Sequence, residues 1–393
     1  MREEKMTLKG RREKQMRRLL PLSIFALLAT DATNVMAAKN YSITPILDAS
    51  VGWNSNYYYS SADEIDVYTY LIQPGISFNY QTARTSTELK ATLDGNAYSG
   101  SETLDDFIGY TVEFDVNRST KSNKLTLGLM DQLSYTRDPE LLGELENATS
   151  RELYMINTLS PYLQYNLDRF KAGLDYENII TRYDEDASED TTLHKGSLEL
   201  LYKMNRTFEF GPRLEVEAMD YDKDSADYQG TDVSAVLVRK GKFLSLRGGI
   251  GYHKRTFDDA EDSELDDVSW NLALESQATG FKKTSFKLAL TKDMNDSTSY
   301  GPGYYSVLQV NGSLERKVGP RLTLGCLASY EKNEYELTDQ ENDIWQVSAT
   351  VKYPLTDWLK LELGIGHQTQ DSTEDNEDYQ NTSGLLKLTF VSN

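Results

Sequence analysis

His194, His253 and His367 are the only imidazoles in a chain that carries 62 aspartates and glutamates, so any hydrolytic centre would be built around one of them. Hydrolysis needs a nucleophile or an activated water beside a base, with a third group to orient that base. In so acidic a chain a carboxylate beside a histidine arises by chance, and no nucleophile motif accompanies any of the three. Asp220, Asp222 and Asp224 have the alternate spacing of a calcium loop, but the glycine and the closing glutamate of an EF-hand are missing. There is no phosphate-binding glycine loop, zinc-ligand set or nucleotide motif. The reading is therefore no catalytic residue, no metal site, no cofactor and no enzyme.

The remaining charged residues are spaced by two. Glu113 and Asp115 alternate with Val112, Phe114 and Val116, and Arg213, Glu215 and Glu217 alternate with Leu214 and Val216. Arg247 follows Leu246, Glu275 follows Leu274, Lys352 stands between Val351 and Tyr353, and Glu362 between Leu361 and Leu363. Successive side chains of a strand point to opposite faces, so each run has one greasy and one wet face. If the greasy face meets lipid, these nine charged residues line an aqueous lumen. A soluble sandwich would alternate in the same way.

The connections separate the two readings. Tight links fall near residues 83–84, 120–122, 167–169, 204–206, 240–242, 279–281, 318–320 and 355–357. Long polar stretches fall between them, at 58–64, 99–105, 138–150, 184–190, 222–228, 258–267, 293–303, 336–342 and 371–378. Short turns on one rim and longer loops on the other are the pattern of transmembrane β-barrels of the outer membrane. Eight turns and nine loops predict an all-β antiparallel barrel of eighteen strands, with both ends on the turn side.

The N-terminus fits that placement. Basic residues run to Arg18, Leu19 to Leu28 form a short apolar core, and Val35-Met36-Ala37 offers a cleavage site. This is the layout of a secretory signal peptide, with a core too short to span a bilayer. Residues 1–38 are read as leader and 39–393 as barrel. Cys326, the one cysteine, alternates with lipid-facing residues and excludes an intramolecular disulfide. A mean hydropathy of -0.57 excludes a helical membrane protein and suits a wide barrel, in which only alternate residues see lipid. Many of the 26 tyrosines stand near strand ends, among them Tyr57 to Tyr59, Tyr183 and Tyr335, and predict two interfacial girdles. Saccharide stacking is the other use considered for Tyr57–Tyr59 and Tyr304–Tyr305. The net charge of -21 is carried mainly by the long loops, where Asp262, Glu264, Asp266 and Asp267 form the clearest acidic rim, while basic residues favour the turns. Such a field draws cations and repels nucleic acid.

Ile43-Thr44-Pro45, then Val51-Gly52-Trp53-Asn54-Ser55-Asn56, and after an acidic loop Ile72-Gln73-Pro74-Gly75-Ile76-Ser77-Phe78, resemble the opening of the putative β-barrel porin 2 family. The resemblance implies an outer-membrane role linked to exopolysaccharide export, although the acidic lumen does not suit an acidic polymer. The expectation is a passive outer-membrane channel for hydrophilic solutes, with a saccharide as one candidate substrate. Its expected partners are outer-membrane lipids, lipopolysaccharide and the barrel-insertion machinery. The alternatives are a structural or adhesive barrel with a closed lumen and, more remotely, an outer-membrane hydrolase.

Overall fold

The computed structural model describes residues 40–391 apart from 63, 102–103, 138–150, 185–188, 224–225, 259–263, 277–282, 298–302, 336–339 and 375–376. The predicted leader lies outside the described residues. Eighteen strands follow in order. They are β1 (Tyr41–Asn54), β2 (Val67–Gln81), β3 (Thr85–Ser99), β4 (Phe107–Ser119), β5 (Leu125–Thr136) and β6 (Tyr154–Asn166). Next come β7 (Phe170–Tyr183), β8 (Thr191–Lys203), β9 (Phe208–Tyr221), β10 (Tyr228–Lys240), β11 (Leu244–Phe257) and β12 (Glu264–Ser276). The last six are β13 (Thr284–Ser297), β14 (Gly303–Val318), β15 (Leu322–Tyr335), β16 (Glu341–Pro354), β17 (Leu359–Ser372) and β18 (Tyr379–Val391).

Each strand pairs antiparallel with its sequence neighbours, and β1 pairs with β18 from Ile46↔Val391 to Asn54↔Ser383, which closes the barrel. Closure leaves no edge strand, so every mid-strand backbone group can be paired within a bilayer. The ladder does break at three mid-strand prolines, which lack an N–H to donate. Pro74, Pro161 and Pro212 each keep their partner on one side, Leu47, Leu129 and Ala235, but fall in a gap of the β2–β3, β6–β7 and β8–β9 pairings.

Side chains close several of the short links. Asn205 Oδ1 accepts from the backbone N–H of Thr207 and Phe208 at 2.8 and 3.0 Å. Thr82 Oγ1 does the same for Arg84 and Thr85, and Thr356 Oγ1 for Trp358 and Leu359. The β14–β15 turn uses Gly319 at φ 73°. Both barrel ends meet this rim, where Gln81 N–H donates to the carbonyl of Asn40 and Val391 N–H to that of Trp358.

The opposite rim carries the longer connections, but several are shorter than the sequence suggests. β12 begins at Glu264, so Glu264, Asp266 and Asp267 are strand residues and not loop; Asp262 lies outside the described residues. Likewise β13 runs to Ser297 within the stretch read as a 293–303 loop, and β16 begins at Glu341. Strand ends that project past a bilayer meet water on both faces, so the alternation that reveals a strand is lost there.

The outward face is apolar around the ring: Ile72, Leu93, Ile108, Ile250, Val347 and Ile365 are among the most exposed large hydrophobics. Aromatic rings bracket it. Tyr110–Tyr135 and Tyr330–Trp345 pack near the long-loop side, and Tyr41–Phe78, Phe170–Tyr202 and Trp358–Phe390 near the short-link side. Not every predicted girdle tyrosine belongs there. Tyr335 is buried on the inner face against Tyr305, and Tyr57 is buried in the loop at 55–66. Cys326 is exposed on the outward face between Leu324 and Ala328.

Candidate functional site: the lumen wall

By register Glu113, Asp115, Arg213, Glu215, Glu217, Arg247, Glu275, Lys352 and Glu362 lie on the face opposite the apolar belt. Directly paired residues share a face, so Glu113 stands beside Lys90 and Gln132, Glu215 beside Ser197 and Asp232, and Lys352 beside Glu362 and Thr323. Most of these charges are already matched. Lys90 Nζ lies 3.3 Å from Glu113 Oε2, Lys352 Nζ 3.8 Å from Glu362 Oε1, Lys287 Nζ 3.8 Å from Glu275 Oε1, and Arg247 bonds Glu199.

The densest cluster spans β8–β13. Lys195 Nζ reaches Glu215 Oε1 at 2.7 Å, and Arg213 Nη2 donates to Glu215 Oε2 at 2.6 Å. Glu217 Oε1 accepts from Arg255 Nε at 3.0 Å and lies 3.3 Å from His253 Nε2, while His253 Nδ1 is 3.2 Å from Asp293 Oδ1. Glu217 must cross β10 to reach Arg255 on β11, and it does so over Gly230. A Cβ at that position would come within 2.5 Å of Glu217 Cγ. The side chains of Glu217 and Arg255 are only 7% and 5% exposed, so the pair is held out of water and fixes the wall rather than presenting free charge. Beside it Lys195, Arg213, Asp232, His253 and Asp293 enclose a polar recess of about 220 Å³.

Both nitrogens of His253 thus face carboxylates, and no hydroxyl bonds to it among the described residues. That is an ion pair, not a base poised on a nucleophile. His194 and His367 face outward, bonded to Tyr176 and Thr382 respectively. Asp222 Oδ1 accepts the N–H of Asp190, Asp224 lies outside the described residues, and no group of three metal-ligating side chains occurs among the described ones. Lys195, Asp232 and Arg255 were not among the residues singled out in the sequence, although each is followed or preceded two places away by a polar residue of the same face, Ser197, Ser234 and His253.

The wall from β3 to β7 differs. Glu88 and Asp115 are direct cross-strand partners of like charge, and neither makes an ion pair among the described residues. Asp94 is met only by the neutral Gln73 and Thr111, at 2.9 and 3.3 Å. This arc carries uncompensated negative charge, as do Asp232 on β10, which meets only Ser269, and Glu331 on β15, which meets only the amides of Gln309 and Asn333.

At the long-loop end the mouth is narrowed by the 55–66 loop. Asn56 is fully buried; its Nδ2 donates to the carbonyls of Ser60 and Gln380 at 2.7 and 3.2 Å, and its N–H to Asn381 Oδ1 at 3.2 Å. Tyr57 packs against Tyr58 and Tyr98, Tyr98 stacks on Phe107, and Tyr59 meets Tyr379. Arg151 clasps the loop, with its guanidinium 4.2 Å from the Tyr57 ring centre and Nε donating to the Tyr57 carbonyl at 3.1 Å. Burial pushes the Tyr57 phenol up, against the pull of Arg151. These rings are occupied with one another and with arginine, so Tyr57 offers no free face for saccharide stacking.

An eighteen-stranded antiparallel barrel, apolar outside and charged within, is the architecture of outer-membrane porins. The family model described as Putative beta-barrel porin 2 matches residues 241–391, which span β11 to β18. The match thus falls on the last eight strands, not on the opening motifs that carry the resemblance in the sequence. Among solved structures, the outer membrane protein opdK from Pseudomonas aeruginosa aligns at 12% identity and TM-score 0.50, over 89% of this chain and 99% of that one. A second structure of it, as OccK1 (OpdK), aligns at 13% and 0.51 over the same shares, and OccAB4 from Acinetobacter baumannii at 11% and 0.50 over 90% and 99%. At such identities the likeness is one of fold. No curated protein matches the sequence. The chain has the fold of an outer-membrane porin barrel, and that fold points to a channel rather than an enzyme.

Proposed function

We propose that the protein is a passive channel for small hydrophilic solutes, with cations favoured, and that its acidic loops face the exterior and both barrel ends the periplasm. The observation that carries the reading is the closed ring of eighteen strands, since barrels of this size enclose a water-filled passage rather than a packed core. The uncompensated Glu88, Asp94 and Asp115 on one wall supply the cation preference. The orientation rests on loop length and on lysines and arginines at the short links, such as Arg84, Arg206 and Lys242.

The second reading, a structural barrel with a closed lumen, is favoured by one feature, the inward packing of the 55–66 loop. Single-channel recording of the purified protein in planar bilayers separates the two. Discrete conductance steps are expected. Reproducible silence from folded, inserted protein would establish the closed barrel instead. Export of a saccharide chain would need a continuous track of free rings, whereas Tyr57 and Tyr305 are buried, at 7% and 1% exposure. We therefore restrict the proposed solutes to small ones.

A further inference from the structure

The recess on the β8–β13 wall is hollow because its floor is built from small residues. Pairing sets Ser234, Gly251 and Ser269 side by side across β10, β11 and β12, with Asn271 and Thr291 in the row beyond. A Cβ at Gly251 would come within 2.7 Å of Ser234 Cβ, 2.9 Å of Ser269 Oγ and 3.0 Å of Asp232 Oδ2. The bare backbone there leaves the void of about 220 Å³ open. It also lets Ser269, two strands away, donate its hydroxyl to Asp232 Oδ2 at 2.5 Å.

Charge around the recess is matched at every group but one. Lys195 and Arg213 are bonded to Glu215, Arg255 to Glu217 and Lys292 to Asp267, while His253 lies against Glu217 and Asp293. None of these cations bonds Asp232 among the described residues. Its carboxylate holds only the Ser269 hydroxyl and keeps Oδ1 as an open acceptor. Ser234, Asn271 and Thr291 line the same space, and their side chains form no hydrogen bond among the described residues. A solute that completes this site must be small, donate to a carboxylate and bring one positive charge. A primary ammonium group does so, with three N–H donors, no acceptor and a charge-assisted bond to the acid. A hydroxyl on the rest of the molecule suits Asn271 and Thr291.

We propose that the recess is a binding subsite for a small primary amine with a neutral polar tail, anchored by Asp232 with Ser234 and Ser269 beside it. A concave site with a few convergent polar groups is the usual form of a small-molecule subsite. The inference deepens the channel reading and rests on it for the route by which the solute arrives.

The test is a calorimetric titration of the mature full chain, folded in detergent micelles, with ethanolamine, which reads the site without any conductance. Saturable binding is expected. Choline keeps the charge but has no N–H donor, and ethylene glycol keeps the hydroxyl but has no charge; each should bind about tenfold or more weakly. Asp232→Asn should weaken ethanolamine binding by about tenfold or more, and Gly251→Ala, which keeps the charge but fills the floor, should do the same. Heat-modifiable gel mobility shows whether each variant is folded. No saturable ethanolamine binding by folded protein, choline binding as tight as ethanolamine, or folded variants that bind like wild type would overturn the proposal, whether or not the barrel conducts. Ethanolamine binding that depends on Asp232, in a protein silent in planar bilayers, would support the site and refute the channel reading.

Discussion

At the residue scale the inner wall holds two kinds of charge pair, and burial decides their worth. Glu217 and Arg255 are shut from water and joined by His253 and Lys195, so removing one member strands a buried charge. Arg255→Leu should destabilise the barrel by about 3–5 kcal/mol in urea unfolding from lipid vesicles. Arg247 pairs with Glu199 but is 40% exposed, and Arg247→Leu should cost less than about 1 kcal/mol. Equal losses would contradict this account of the wall. A different residue governs the 373–378 connection. Gln340 Nε2 donates to Glu377 Oε2 at 2.5 Å and Gln370 Nε2 to the Glu377 carbonyl at 3.0 Å. Burial pushes the Glu377 carboxyl above its usual range, so the docked loop favours the protonated acid. Its contribution is complete below the pKa of the free acid and declines as pH rises through the raised value. Amide exchange in residues 373–378 should therefore quicken as pH rises through that range, once the intrinsic pH dependence is removed, and Glu377→Gln should abolish the change. A wild-type response that persists in the variant would assign it to another group.

At the element scale, alternation and connection length made the eighteen strands legible, because a strand between lipid and water carries its environment in its side-chain period. The Leu361–Ile365 run shows how far that reaches. Leu361 pairs with Leu388 and Tyr353 on the lipid face, and Glu362 with Lys387 and Lys352 on the inner one. Leu361→Arg should cost about 2–4 kcal/mol, less if the residue sits toward the interface, and lower insertion yield; Glu362→Gln should leave yield nearly unchanged. Folding yields into lipid vesicles measure both, and similar losses would refute the register. What the period could not give is what depends on neighbours distant in sequence. Glu217 finds Arg255 two strands away only because Gly230 opens the path, and the inward fold of the 55–66 loop rests on Asn56 meeting Gln380 and Asn381. The strand starts at Glu264 and Glu341 were hidden for a simpler reason: acidic residues on both faces read as loop.

At the scale of the whole molecule the inner charges are unevenly matched, with a dense paired cluster on the β8–β13 wall and Glu88, Asp94 and Asp115 unpaired on the β3–β7 wall. Epitope tags within 258–263 and 373–378 should be accessible on intact cells and tags within 241–243 and 355–358 should not; the reverse pattern would invert the proposed orientation. The central claim is a conducting lumen whose selectivity comes from Glu88, Asp94 and Asp115 with the acidic rim. Mobile ions screen such a field, and the screening length falls from about 10 Å at 0.1 M to about 3 Å at 1 M. The most direct measurement is the reversal potential across a salt gradient in planar bilayers, taken at low and at high mean salt. Cation preference at low salt that fades at high salt, and weakens in Glu88→Gln, Asp115→Asn, is the predicted result; anion preference, or no conductance from inserted protein, would contradict it.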